Sequence, residues 1–163
     1  MQTFLPSSNF TNCAKLLDNK RLNKQILEGY QILNVNSGMS PTGGWRNHPA
    51  VLMWKNHEGS LLNYINEMIK EAKLRGINTD GNQKNIVALV NKVGKNWNYE
   101  APTWMFDDVK LMRVITTHRV NLFNKDPLYY IDFQSSVNSP YNSPCCPDRK
   151  IPCKYYWVTH DKL

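Results

Sequence analysis

Residues 9–33 read NFTNCAKLLDNKRLNKQILEGYQIL and predict a long amphipathic helix. Asn9 and Thr11 stand at its beginning, and because such residues cap helix N-termini, we expect the helix to start between them. Large apolar side chains recur every three or four residues and predict the buried face, which comprises Leu22, Ile26, Tyr30 and Leu33. The stretch therefore predicts a mainly α fold built around this face.

A polar stripe runs beside the apolar face of the same helix. Asp18, Arg21, Gln25 and Glu28 follow helical spacing, and a short apolar arm, residues 1–6, precedes the helix. One interpretation is a solvated surface with helix-spaced ion pairs, each contributing about 0.2–0.5 kcal/mol. The other is the lining of a polar site. The pattern alone leaves both open.

The remaining periodic segments predict further helices in one domain, residues 1–163. We expect long helices near residues 10–33, 49–75 and 107–124, with an irregular tail over residues 134–163. Residues 86–90 are compatible with a short helix, but their β-branched side chains leave a strand as the alternative. The predicted core includes Leu22, Ile26, Trp54, Leu61, Ile65, Leu111 and Ile115.

Composition and charge narrow the class of protein. The chain has 163 residues, 41% hydrophobic, and a formal net charge of +7. That charge favours a polyanionic partner, with nucleic acid before membrane. No apolar run reaches the roughly 18 residues of a membrane span, and no signal peptide is evident, so we expect a soluble, cytoplasmic protein. We also expect a monomer. P-loop, dinucleotide-binding, serine-hydrolase and HExxH motifs are absent from the sequence.

Three of the four cysteines lie near the end of the chain. Without a secretory signal, we interpret Cys13, Cys145, Cys146 and Cys153 as reduced thiols. The last three, together with His160, are also potential metal ligands, although their spacing matches no familiar zinc motif. The sequence therefore favours free thiols, and we predict no metal and no cofactor.

Three blocks of sequence, in this order and spacing, resemble the phage-type pyrimidine-dimer DNA glycosylase/AP lyase family. This family includes the endonuclease V of T-even phages, and the resemblance is to its wider bacterial and viral branch. The first block is the start of the chain together with residues 17–28, LDNKRLNKQILE; the others are residues 44–51, GWRNHPAV, and residues 118–130, HRVNLFNKDPLYY. The tail from Gln134 lies outside the resemblance.

The resemblance implies a compact helical domain whose N-terminal arm threads between helices, and an enzyme acting on double-stranded DNA. In that family the α-amine of the chain attacks C1′ of a damaged nucleotide, a Schiff base forms, and β-elimination cuts the strand. Because Gln2 is large, we expect Met1 to be retained and to carry the amine. An α-amine has a pKa near 7.7–8, so a useful fraction is an unprotonated nucleophile at neutral pH.

The family also has an essential glutamate on the first helix. Here the match places Leu22, not a carboxylate, beside Arg21, so Glu28, with Asp18 as second candidate, takes this role by helical face. We expect DNA contacts from Arg21, Lys24, Gln25, Arg46, Asn47, His48, His118, Arg119 and Asn121. Of the polar residues, His48, His118, Arg119 and Asn121 should gather around the same cleft as Arg21, Gln25 and Glu28.

Two other functions remain open. One is a non-catalytic protein that binds DNA or takes part in phage–host interaction on the same scaffold. The other is a different reaction on a nucleic acid or nucleotide that uses His48, His118 and the carboxylates.

Overall fold

The computed structural model describes residues 1–146 and 150–161, and α-helices dominate these ranges. The α-helices are α1 (Phe10–Leu16), α2 (Asn19–Asn36), α3 (Pro49–Leu52), α4 (Glu58–Leu74), α5 (Asp80–Val93) and α6 (Asp108–Lys125). Turns of 3-10 helix lie at Gly94–Asn96, Thr103–Phe106, Ile131–Asn138 and Val158–His160. The described ranges contain no strand, so the predicted mainly α class is confirmed and residues 86–90 are helical.

The chain falls into two compact units. The first consists of Met1–Thr3 and Asn9–Pro102, and the second of Phe4–Ser8 with the described residues of Thr103–Leu163. The N-terminal arm is thus divided, since its first three residues belong to one unit and the next five to the other. The division of the chain into a core of residues 1–133 and a tail of residues 134–163 stays a prediction.

Helix α2 is the centre of the first unit and contacts α3, α4 and α5. Leu22, Ile26 and Leu33 are fully buried as predicted, whereas Tyr30 is only half-buried. Trp54, Leu61 and Ile65 are fully buried as well. The apolar stripe of α2 therefore packs as the sequence predicts.

The single helix predicted over residues 10–33 is wrong, because the chain turns at Leu17 and Asp18. Asn9 accepts a hydrogen bond from Asn12 N at 3.0 Å and caps α1 as expected. Leu17 then adopts extended backbone, with φ −77° and ψ 142°. The guanidinium of Arg75 donates to the carbonyls of Ala14, Lys15 and Leu17 at 3.1, 3.1 and 2.6 Å. These bonds satisfy the carbonyls that the end of α1 leaves open.

The helix predicted over residues 49–75 is also interrupted, between α3 and α4. Asn56 has a φ of 64°, a left-handed conformation that asparagine tolerates better than most residues. The side chain of Asn98 donates to the Asn56 carbonyl at 3.0 Å and holds this turn. The left-handed backbone of Asn56 therefore interrupts the helix, and the hydrogen bond from the Asn98 side chain stabilises the interruption.

The second unit is organised around α6. Asp107 caps this helix by accepting from Lys110 N at 3.0 Å, and Ile131–Asn138 packs along it. Ile115 is buried as predicted, but Leu111 is only half-buried because it lies in the first turn, where its cover is incomplete. In the tail, the described residues 139–146 and 150–157 form no helix. The predicted irregular part therefore begins after the 3-10 helix Ile131–Asn138 rather than at residue 134. No helix of the described ranges is both long and apolar enough for a membrane span.

Candidate active site

A cavity of about 270 Å³ opens on the first unit at the chain's first residue. It is lined by Met1, Glu28, Gln31, Asn34, Val35, Ser40 and Trp45. Of these residues, Met1 and Glu28 were predicted site residues and the other five were not. Gln31 follows Glu28 by three residues on α2 and Asn34 follows Gln31 by three, so helical spacing places each beside the one before it.

Glu28 is held beside the start of the chain by a main-chain contact. Its Oε2 accepts a hydrogen bond from the backbone N–H of Gln2 at 3.1 Å, and the residue is 9% exposed. Its Oε1 lies 3.6 Å from the ammonium of Lys24, whose side chain is 63% exposed. Of the two carboxylates that the sequence proposed, Glu28 is therefore the one at the N-terminus.

The α-amine of Met1 is close to the same carboxylate. Successive backbone nitrogens are at most about 3.7 Å apart, so the amine lies within about 7 Å of Glu28 Oε2. Met1 and Glu28 also face the same cavity. This geometry is compatible with the predicted separation of one water molecule, which stays a prediction.

A buried relay orients Glu28 from behind. The Gln25 amide donates to Glu28 Oε2 at 3.4 Å, and Gln25 Oε1 accepts from the hydroxyl of Tyr64 at 2.8 Å. Gln25 is 1% exposed and Tyr64 is fully buried, and burial raises the pKa of Tyr64 well above its ordinary value. The hydroxyl therefore stays a donor. Tyr64 was not among the predicted site residues, because only the burial of Gln25 in the structure shows that this amide needs a partner.

His48 belongs to the same electrostatic environment. The pKa of His48 is lowered, first by burial and then by the positive charge of the chain's α-amine, while the carboxylate of Glu28 raises it. His48 also caps α3, since its Nδ1 accepts from Ala50 N at 3.1 Å. His48 is therefore the cap of α3, its imidazole is neutral at pH 7, and its role as a site residue stays a prediction.

The other predicted residues of the first unit have different surroundings. Asp18 stands at the start of α2, ten residues before Glu28, and pairs with Arg21 at 3.2 Å. At 1.5 Å per residue this places it about 15 Å along the helix from Glu28. Arg46 and Asn47 are exposed next to Trp45, which lines the cavity.

The third sequence block lies in the second unit and has internal partners there. His118 is fully buried, and its Nδ1 accepts from Leu5 N at 2.9 Å. Arg119 donates to the Pro6 carbonyl at 2.7 Å, and Asn121 donates to the Lys154 carbonyl at 2.8 Å. The structure thus gives these three residues a role in fixing the arm and the tail. That they share one cleft with the residues of α2 stays a prediction.

The tautomer of His118 follows from these contacts. Because Nδ1 accepts a hydrogen bond, the proton resides on Nε2, which has no hydrogen-bond partner among the described residues. Burial lowers the pKa of His118 to about 3. His118 is therefore a neutral packing residue at physiological pH.

Comparison with known proteins supports the family that the sequence blocks suggested. A family model described as pyrimidine dimer DNA glycosylase matches residues 1–85. The matched part includes the arm, α2 with Glu28, and the block around Trp45. No curated protein and no solved structure matches the chain.

Proposed function

Because the chain belongs to the pyrimidine dimer DNA glycosylase family, we propose that it is a DNA glycosylase with AP lyase activity. It would release a damaged pyrimidine and then cut the strand through a Schiff base on the α-amine of Met1. The observation that carries this proposal is the hydrogen bond from Gln2 N to Glu28, which holds a carboxylate beside the chain's first amine at an open cavity.

The chemistry requires a nucleophile and a group that moves protons. The unprotonated amine forms a bond to C1′ as the bond between C1′ and the base breaks, and the departing base takes up a proton. Glu28 accepts the proton that the amine loses and delivers it to O4′ as the sugar ring opens to an iminium ion. Loss of a C2′ proton then expels the 3′ phosphate, and water hydrolyses the imine.

The charges around the cavity suit a cationic intermediate. The carboxylate of Glu28 compensates the iminium charge at short range. His48 is neutral because its pKa is lowered, so it adds no opposing positive charge. Lys24 supplies a cation beside Glu28, and its exposed position suits contact with a DNA phosphate.

The cavity and its rim suit a displaced nucleotide. Its volume of about 270 Å³ lies just below the range of about 300–1,000 Å³ that is typical of small-ligand pockets. Trp45 is 53% exposed where it lines the cavity, so its ring is available for stacking against a base. Arg46, also exposed, follows Trp45 directly and can reach the backbone of the same strand.

Borohydride trapping on duplex DNA tests the proposal. We expect a covalent, reduced adduct with a duplex that carries an abasic site, and strand cleavage on one that carries a pyrimidine dimer. Peptide mapping of the adduct distinguishes two amines, since Lys24 is also close to Glu28. The modified peptide should contain Met1, and Lys24→Arg, which keeps the charge but removes the primary amine, should still form the adduct.

Matched carboxylate variants separate catalysis from folding. Glu28→Gln keeps an acceptor for Gln2 N but removes the charge, so it should abolish turnover while thermal stability and DNA affinity stay close to those of the parent. Asp18→Asn, on the same helix but away from the cavity, should retain activity. DNA binding without any trapped adduct would instead support the non-catalytic DNA-binding function. An adduct at Lys24 would refute the role of Met1.

A further inference from the structure

Four side chains of the tail converge on one point in the second unit. The ligand atoms of Cys145, Cys146, Cys153 and His160 all lie within 4.8 Å of one another. The distances from His160 Nδ1 to the three sulfurs, in chain order, are 3.3, 3.6 and 4.0 Å. The three cysteines and the histidine thus form a compact sulfur–nitrogen cluster.

These separations match the edges of a tetrahedral metal site. With Zn–S near 2.3 Å and Zn–N near 2.0–2.1 Å, tetrahedral angles place sulfur and nitrogen about 3.5 Å apart and two sulfurs about 3.8 Å apart. The three observed S···N distances bracket the first value, and the 4.8 Å limit on all pairs leaves room for the second. A central ion therefore needs only small shifts of the side chains.

The backbone is bent so that two adjacent cysteines face the same point. Neighbouring residues of an extended chain direct their side chains to opposite sides. Cys146 has a φ of 57°, in the left-handed region that a non-glycine residue rarely adopts. Such backbone is unfavourable for a non-glycine residue and persists where the surroundings hold it in place, commonly at ligand sites.

Hydrogen bonds of the main chain support the cluster from outside. Cys145 N donates to the Tyr155 carbonyl at 3.3 Å. This bond joins the part of the tail that carries Cys145 and Cys146 to the part that follows Cys153. The backbone N–H of Trp157 hydrogen-bonds to Cys145. N–H donors beside a ligand sulfur are the outer contacts that orient and tune metal ligands.

We propose that Cys145, Cys146, Cys153 and His160 bind one structural Zn²⁺ ion. Three sulfurs and one imidazole nitrogen form a closed tetrahedral Cys₃His set of the type found in structural zinc sites. Each thiol loses its proton on binding, so up to three protons are released, and neutral His160 coordinates through Nδ1. No redox step is involved.

The ion would fix residues 153–157, the segment of the tail that packs on α6. This segment contacts the helix through Tyr156 N, which donates to Thr117 Oγ1 at 3.1 Å, and through the bond from Asn121 to the Lys154 carbonyl. The ring of Tyr155 lies 5.4 Å from that of His118, measured between centroids. The described residues 139–146 and 150–157 form no helix, so the ion would add a cross-link to the few hydrogen bonds that hold this segment.

Metal content and cobalt spectroscopy of the full-length chain test the site. Protein purified under reducing conditions should contain one zinc ion per chain, and Co²⁺ added after chelation should give the visible bands of tetrahedral cobalt with thiolate-to-cobalt charge transfer. Binding should release protons, and chelation should lower the melting temperature. Absence of both bound zinc and the charge-transfer band in folded parent protein would overturn the proposal.

Matched variants localise the ion. Cys153→Ser and His160→Ala should weaken zinc binding by more than the roughly 10–100-fold lost when an outer partner of a ligand is removed. Cys13→Ala, which removes a buried thiol of the first unit, should keep one zinc per chain. Equal zinc retention by Cys153→Ser would refute the ligand set. A parent mass two units lower without reductant, with no metal, would indicate a disulfide and likewise refute it.

Discussion

Tyr64→Phe tests whether the relay behind Glu28 matters, because it removes one hydroxyl and keeps the ring. The ring packs against Phe10 and Trp54, with centroids 5.5 and 6.1 Å apart, and phenylalanine preserves both contacts. No cavity forms, so the cost comes from the donor that Gln25 Oε1 loses at a fully buried position. Removing one partner of a buried hydrogen bond costs about 1–3 kcal/mol.

Urea denaturation measures this free energy of unfolding directly. Tyr99→Phe is the matched control, because Tyr99 is 52% exposed and its substitution should change stability by at most about 0.5 kcal/mol. Combining Tyr64→Phe with Gln25→Leu makes both partners apolar. The double variant should therefore lose less unfolding free energy than the sum of the losses in the two single variants.

The same variant has a predicted effect on catalysis. Since Gln25 donates to Glu28, loosening it should lower kcat while the KM for DNA stays nearly unchanged. If the free energy of unfolding of Tyr64→Phe is within about 0.5 kcal/mol of that of the parent and its kcat is unchanged, the relay has no role.

Two further perturbations have opposite or pH-dependent outcomes. Gly59→Ala would bring a Cβ within 2.7 Å of the Asn98 carbonyl oxygen and should lower the free energy of unfolding by about 1–3 kcal/mol. In Gly81→Ala the added Cβ meets nothing within 4 Å, so this substitution should raise the free energy of unfolding by about 0.4–1 kcal/mol. Equal urea midpoints for the two variants would refute this contrast. The unfolded state protonates His118 near pH 6.5 but the folded state only near pH 3, so stability falls as the pH falls through this window. Between pH 7.5 and 5 the loss should be about 2 kcal/mol and absent in His118→Gln, and parallel stability curves would contradict it.

Local patterns predicted the helices well and their interruptions poorly. The apolar face of α2, the cap at Asn9 and the cap at Asp107 follow from side-chain chemistry within a few residues. The turn at Leu17 has no glycine or proline, and it is stabilised by Arg75, about 60 residues away in sequence. A local pattern carries no information about such a partner.

The site was predicted in part for the same reason. The polar stripe predicted Glu28 first and Asp18 second, and helical spacing alone is compatible with both. Only the path of the arm, which brings Gln2 N to Glu28, distinguishes them. The tail shows the converse, because unfamiliar spacing argued against a metal site that the backbone conformation at Cys146 makes geometrically feasible.

The contacts of Arg75 also have a consequence for the order of folding. Its bonds to the end of α1 span 58 to 61 residues, so a long loop must close before they form. We therefore expect the direction of α1 relative to α2 to be fixed only after α4, which ends at Arg75, has docked. We expect Arg75→Ala to accelerate unfolding while leaving the folding rate nearly unchanged, a kinetic signature of contacts completed after the transition state. The corner that precedes the Glu28 helix would then be among the last parts of the first unit to form.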